Sequence, residues 1–160
     1  MLLVSDANIL IDIEVGGLLA PMFSLDYRFA VPDVLFFEEL ERQHRTLPDM
    51  GLQVQELDAS MIERVVELAK SYPRTSRNDL FALALAAKME CPLLTGDKDL
   101  KAAAESEHVT VRGTLWLVGE MMRAGKISVP VARGAYDRMR VNGRRLPWDW
   151  VEKMLAAPEQ

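Results

Sequence analysis

Four short stretches of the chain each put an acid beside residues that belong in a core: Asp6 in VSDANILIDI, Glu38 and Glu39 in VPDVLFFEEL, Asp79 in SRNDLFALALA and Asp97 in LLTGDKDL. Singly, each has an ordinary explanation. Asp6 suits a turn or a cap, Asp79 sits where the third residue of a helix capped by Ser76 would be, Asp97 can open the next helix, and glutamates on a helix are usually solvated. Jointly they describe more. Several carboxylates in one partly buried pocket repel and raise each other's pKa unless a cation intervenes. Oxygen-only ligands suit Mg²⁺ or Mn²⁺ rather than zinc, and His44 and His108 lack the spacing of a zinc site. A divalent ion held this way activates water and neutralises charge in phosphodiester hydrolysis. No serine, cysteine or histidine of this sequence stands out as a nucleophile.

Acids so far apart in sequence meet only if the fold brings them together. Leu2 to Ser5 reads as a short buried strand ending at Asp6, followed by a helix with Asn8 as its cap. YRFAVP reads as a second strand, stopped by Pro32, and DVLFFEELERQHR as one uninterrupted helix. GLQVQEL alternates like a half-exposed strand, and DASMIERVVELAKSY is an amphipathic helix. SRNDLFALALAAKME is a helix apolar on several sides and therefore central. CPLLTGD is a strand, KDLKAAAESE a helix and VTV a short strand. GTLWLVGEMMRAGKI, PVARGAYDRMRVNGR and PWDWVEKMLAA close the chain as helices. Strands alternating with helices imply an α/β fold with a mainly parallel sheet, in which ligands gather outside the carboxyl ends of the strands. One domain is expected over 1–160, with a helical, basic C-terminal segment at about 113–157.

The bulk numbers fit an ordinary globular protein: 49% hydrophobic, 27% charged, net charge −5. The charge is uneven. Residues 112–153 hold nine Lys/Arg against four Asp/Glu, so the remainder carries −10. A basic segment beside an acidic body suits contact with a polyanion, and suits a solvated helical face equally well. The lone cysteine, Cys91, excludes an internal disulfide and reads as a structural thiol, pointing to the cytoplasm. No secretory signal is seen, and no apolar run is long enough to span a membrane.

At these residues the sequence resembles the PIN-domain family, nearly end to end. VSDANILIDI is similar to the family's first strand and acid, with Asn8 as the small polar residue that follows. VPDVLFFEEL resembles the segment of the second acid, SRNDLFALALA the Asn-Asp pair before an alanine-rich helix, and LLTGDKDL the Thr-x-Asp after a buried strand. GTLWLVGEMMRAGKI resembles the Gly-Thr helix of one bacterial branch. The resemblance implies a three-layer α/β/α fold and Mg²⁺- or Mn²⁺-dependent cleavage of RNA. It also implies kinship with VapC-like toxins, which are neutralised by a small antitoxin, and homodimers.

Carried over, the resemblance makes Asp6, Asp79 and Asp97 catalytic metal ligands. The second acid is Glu38 by its spacing from Pro32, with Glu39 as the alternative; on an α-helix the two point about a hundred degrees apart. Asp99 falls in a second shell, while Asn8, Ser76 and Thr95 support the acids. Arg74, Arg77, Arg144 and Arg145 are candidates for holding RNA phosphates, the last pair beside Trp148 and Trp150. Trp116 and those two tryptophans can equally be core anchors. Two other α/β enzymes fit less well. A haloacid-dehalogenase-like phosphatase needs an acid where Asn8 stands, and a receiver domain needs paired acids near the first strand. A catalytically idle PIN-fold module that binds RNA or protein is the non-enzymatic alternative.

Overall fold

Leu2–Ser5, too short for a helix and apolar until Ser5, forms β1 and is buried throughout. Its two edges are taken by parallel neighbours. Val4 pairs with Ala30 of β2 (Arg28–Pro32) on one side and with Leu93 of β4 (Leu93–Leu94) on the other. β3 (Gln53–Gln55) lies outside β2, and β5 (Val111–Arg112) outside β4, which gives the order β3-β2-β1-β4-β5. Every pairing is parallel. Strands covered on both faces read as continuous apolar runs; the edge strands are more open, β3 half-buried throughout and β5 half-buried at Val111 and exposed at Arg112.

Helices complete a three-layer α/β/α arrangement in the computed structural model, which describes residues 1–156. Ala157, the last residue of the expected C-terminal segment, and the final three residues lie outside the described part. α1 (Ala7–Val15) and α2 (Leu19–Phe23) join β1 to β2. α6 (Ala59–Ser71) and α7 (Arg77–Met89) join β3 to β4. In α7, Leu80 to Ala86 are all buried, as expected of the helix that packs on α6, β1 and β2 at once. α8 (Lys98–Ser106) joins β4 to β5, and α9 (Thr114–Arg123), α10 (Val129–Val141) and α11 (Trp148–Ala156) follow. α10 lies close against the end of α1: a Cβ added at Gly16 would come within 2.6 Å of Met139 Cε.

Three expectations need correcting. The stretch after β2 is not one regular helix. It runs as α3 (Asp33–Leu35), a π-helical turn over Phe36–Leu40, and α4 (Glu41–His44), with the short α5 (Leu47–Met50) behind it. The last strand falls at Val111–Arg112 rather than Val109–Val111. There Leu93 N and Thr95 N of the β4 side reach Thr110 O and Arg112 O at 2.8 and 2.9 Å. The cap of α1 is Asp6, not Asn8.

The strand order sets the site. From β1 the chain moves outward to β2 and β3; β4 then returns to the other side of β1 and leads to β5. The switch point lies between β1 and β4, where the carboxyl ends of two strands open a crevice.

Candidate functional site

Asp6 and Asp97 stand on the two sides of that crevice. Asp6 follows β1 directly, and its backbone N–H donates to Leu94 O of β4 at 3.0 Å. One carboxylate oxygen caps α1 by accepting from Ile9 N at 3.0 Å; the other accepts from the Thr95 hydroxyl at 2.5 Å. Thr95 Oγ1 in turn accepts from Asp97 N at 3.0 Å, and Asp97 caps α8 through Leu100 N at 2.8 Å. One buried threonine therefore ties the two acids together. Both are helix caps, and that ordinary role leaves chemistry open. A cap at a helix N-terminus favours negative charge there, and Asp97 is exposed, its second oxygen accepting no hydrogen bond among the described residues.

Asp6 is 1% exposed. Burial pushes its pKa up to about 7, against the opposing bonds from Thr95 and Ile9, and the charges of Asp79 and Asp12 add to the rise. Asp79 lies in the first turn of α7, where Ser76 Oγ accepts from its N–H at 3.2 Å. Burial, then Asp97, then Glu39 push it up to about 6, while the bond with Ser76 opposes the rise. Asp79 thus feels acids from the turn after β4 and from the segment after β2, and Asp6 feels Asp79. The four stretches singled out in the sequence converge on one region of negative field.

The glutamate pair separates. Glu39 accepts from Asn78 Nδ2 at 3.1 Å and acts on Asp79. Glu38 is paired with Arg77 at 3.1 Å. The sequence preference for Glu38 rested on its spacing from Pro32. The segment forms a π-helical turn over FFEEL, with an extra residue per turn, and both glutamates reach the first residues of α7. On this geometry Glu39 is the acid on the Asp79 side.

The donor set is all oxygen, and among the described residues no lysine or arginine is paired with Asp6, Asp79, Asp97 or Glu39. The buried Asn78 Oδ1 beside them has no hydrogen-bond partner. Hard oxygen donors with unneutralised charge suit Mg²⁺ or Mn²⁺. Among the described residues, no three acids, histidines or cysteines stand close enough to hold an ion as they are. Coulomb forces couple carboxylates over longer distances than the 2.0–2.1 Å bonds of Mg²⁺ allow. Glu39 and Asp97 are exposed, so their side chains are free to turn inward on an ion.

Other candidates fall elsewhere. Asp99 is exposed in the first turn of α8. Asn8 is exposed, and its Oδ1 accepts from Arg144 Nη2 at 3.0 Å. Arg144 is also bound to Asp12 Oδ1 through Nε at 2.6 Å, so this arginine holds α1 rather than standing free for a phosphate. Asp12, whose Oδ2 accepts from Thr114 at 2.9 Å, was not singled out in the sequence. The available signal was an acid inside the run ILIDI. Arg74 and Arg145 are exposed, and Arg77 is engaged by Glu38. Trp148 packs on the core beneath Arg140, Trp116 is half-buried, and Trp150 is 62% exposed.

A family model described as a PIN domain, DUF3368, matches residues 2–160. A PilT N-terminus domain protein from the hyperthermophilic archaeon Sulfolobus solfataricus P2 has a similar structure, with a TM-score of 0.53 at 13% identity over 76% of this chain and 93% of that one. VapBC2 from Rickettsia felis, solved bound to a DNA fragment from its promoter, gives 0.50 at 15% identity over 71% and 98%. At these identities the likeness is one of fold. No curated protein matches the chain.

Proposed function

The chain belongs to the PIN-domain family, and on that premise we propose that it is a metal-dependent endoribonuclease, the toxin of a toxin–antitoxin pair. The observation that carries this reading is the pair of carboxyls, Asp6 at about 7 and Asp79 at about 6, held in one crevice without a cationic side chain. A protein that buries negative charge and leaves it uncompensated is less stable for it unless something positive arrives. Asp6, Asp79, Asp97 and Glu39 are the ligands proposed for Mg²⁺ or Mn²⁺. A divalent ion there supplies Lewis-acid stabilisation of a phosphodiester and water made acidic enough to attack it.

The chain's own residues do the positioning. Thr95 fixes the rotamer of Asp6 and the backbone of Asp97 together. Asn78 holds Glu39 toward α7, and Ser76 sets the start of that helix. The structural likeness to VapBC2 supports an antitoxin as partner, and a homodimer is proposed with it from the same resemblance. The second reading is a catalytically idle PIN module; on its side is the absence of three described ligands already at coordinating distance.

Manganese titration separates the two. The nuclease reading expects saturable Mn²⁺ binding by calorimetry and cleavage of single-stranded RNA that EDTA abolishes. Asp97→Asn should weaken the binding and stop the cleavage. Cleavage that survives EDTA, or metal binding indifferent to Asp97→Asn, would overturn it. A chain that binds RNA and never cuts it with either metal is the idle module.

A further inference from the structure

Four of the cations left without an acid partner among the described residues meet in one place. Lys98 and Lys101 of α8, Arg112 at the end of β5 and Arg145 in the connection between α10 and α11 line an open cavity of about 340 Å³. None of the four takes part in an ion pair among the described residues. Asp12 also reaches this wall, but Arg144 and Thr114 already occupy its oxygens. In a chain of net charge −5, three separate elements deliver positive charge to one concavity. Four like charges that converge repel, and a low-dielectric wall focuses their field outward on an anion.

The cavity meets the acid crevice at Thr95. Thr95 lines it and bonds Asp6 through its hydroxyl. Gly96, the next residue in the wall, has nothing within 4 Å of where a Cβ would stand, and Asp97 follows it in the chain. Positive and negative fields thus adjoin across one turn of chain. A phosphodiester at the acids places its neighbouring phosphates where the cations are. An acidic peptide has no such reason to continue into a crevice of carboxylates.

We propose that this cavity anchors the phosphodiester backbone of single-stranded RNA on the Asp97 side of the crevice, through Lys98, Lys101, Arg112 and Arg145. The proposal rests on the nuclease reading and names where its substrate is gripped. The anchoring reads backbone and not sequence. Trp116, the aromatic of this wall, already carries the Arg112 guanidinium over its ring at 5.8 Å, with the Tyr27 ring 5.8 Å away between centroids. Phosphate contacts position a nucleic acid without specifying it.

The test uses the full chain in EDTA, with anisotropy of a labelled single-stranded oligoribonucleotide of mixed sequence measured across a salt series. Lys101→Ala with Arg145→Ala removes two exposed cations and is expected to weaken binding about tenfold or more. It should also lower the slope of log affinity against log salt by about 1.4, at roughly 0.7 per phosphate contact on a single strand. A control that loses the same charge elsewhere, Lys70→Ala with Lys126→Ala, should stay within about twofold of wild type. Equal losses in the two double variants, or an unchanged slope in the first, would overturn the proposal. So would tighter binding of an oligoglutamate peptide of matched charge, which would point to an acidic protein partner. Binding that needs Lys101 and Arg145 in a chain that never cleaves RNA with metal would leave the anchor standing and remove the nuclease reading.

Discussion

Two aspartates six residues apart, one capping α1 and one inside it, are both buried: Asp6 is 1% exposed and Asp12 6%. Burial raises the pKa of each, but their surroundings diverge. Asp12 receives an arginine, Arg144, from the far end of the chain, and a hydroxyl from Thr114; both oppose the rise. Asp6 receives only a hydroxyl and a backbone N–H, and its charged neighbours are acids. The fold therefore has a means of neutralising a buried carboxylate and uses it at one position of the pair. An unpartnered buried charge destabilises a protein by several kcal/mol. An unpartnered carboxyl at Asp6, in a region that also holds Asp79, Asp97 and Glu39, is what the proposed metal site would account for.

Abolishing the acid on the unpaired side has the largest expected effect. Asp6→Asn should lower metal-dependent RNA cleavage by about 10³-fold, ~4 kcal/mol of transition-state stabilisation. The same change should stabilise the metal-free protein at pH 8 by about 1–2 kcal/mol, because a buried charge is removed. Urea unfolding in EDTA and a cleavage assay in Mn²⁺ check the two halves. Loss of both activity and stability would mean that Asp6 is a structural cap and nothing more.

Next in size is the pH dependence of that stability. The folded-state pKa of Asp6, about 7, lies above its ordinary value of 3.8, so the folded state holds the proton more tightly than the unfolded one. The stabilisation is complete below about pH 4 and is lost as pH rises to about 7, on the order of 4 kcal/mol for a shift of this size. Asp79, raised to about 6, acts in the same direction. Metal-free protein should thus melt at lower temperature at pH 8 than at pH 5, and millimolar Mn²⁺ should raise the melting temperature at pH 8 more than at pH 5. A flat profile in EDTA would show that the crevice is already neutralised from within.

On the paired side, Arg144→Ala should cost about 2–3 kcal/mol, below the 3–5 typical when one partner of a fully buried pair is removed, because the arginine side chain is 24% exposed. Arg144→Met combined with Asp12→Asn should recover most of that loss, since replacing both partners leaves no orphaned charge. Denaturant midpoints for the single and double variants test the coupling. Strict additivity would mean that the pair is not what holds the C-terminal segment to α1.

How far the sequence revealed this contrast depended on the distance over which each signal acts. Asp6, Asp79 and Asp97 were legible because each abuts a local pattern, a strand end or the first turn of an apolar helix, that fixes where its side chain begins. The parallel sheet was legible for the same reason. Asp12 was not, since nothing near ILIDI announces a partner 132 residues away. Nor were Lys98, Lys101, Arg112 and Arg145 legible as a set, because their convergence is a product of strand order. Within the basic C-terminal segment, Arg144 and Arg145 look alike in sequence, yet one holds α1 and the other lines the open cavity.

The glutamate pair carries the smallest expected effect and the sharpest test of local geometry. At the π-helical turn FFEEL both glutamates meet the start of α7, Glu39 through Asn78 and Glu38 through Arg77, but only Glu39 acts on Asp79. Glu39→Gln should keep the hydrogen bond from Asn78 while deleting the charge near Asp79. Cleavage should then fall about tenfold, ~1.4 kcal/mol, as expected for an exposed ligand contributing one of several charges. Glu38→Gln breaks only a surface pair, 46% and 67% exposed on its two sides, worth under about 1 kcal/mol, and should leave cleavage within about twofold. Paired kinetics of the two variants at saturating Mn²⁺ decide the matter. If Glu38→Gln is the damaging change, spacing counted from Pro32 identifies the second acid better than the contact with Asn78 does.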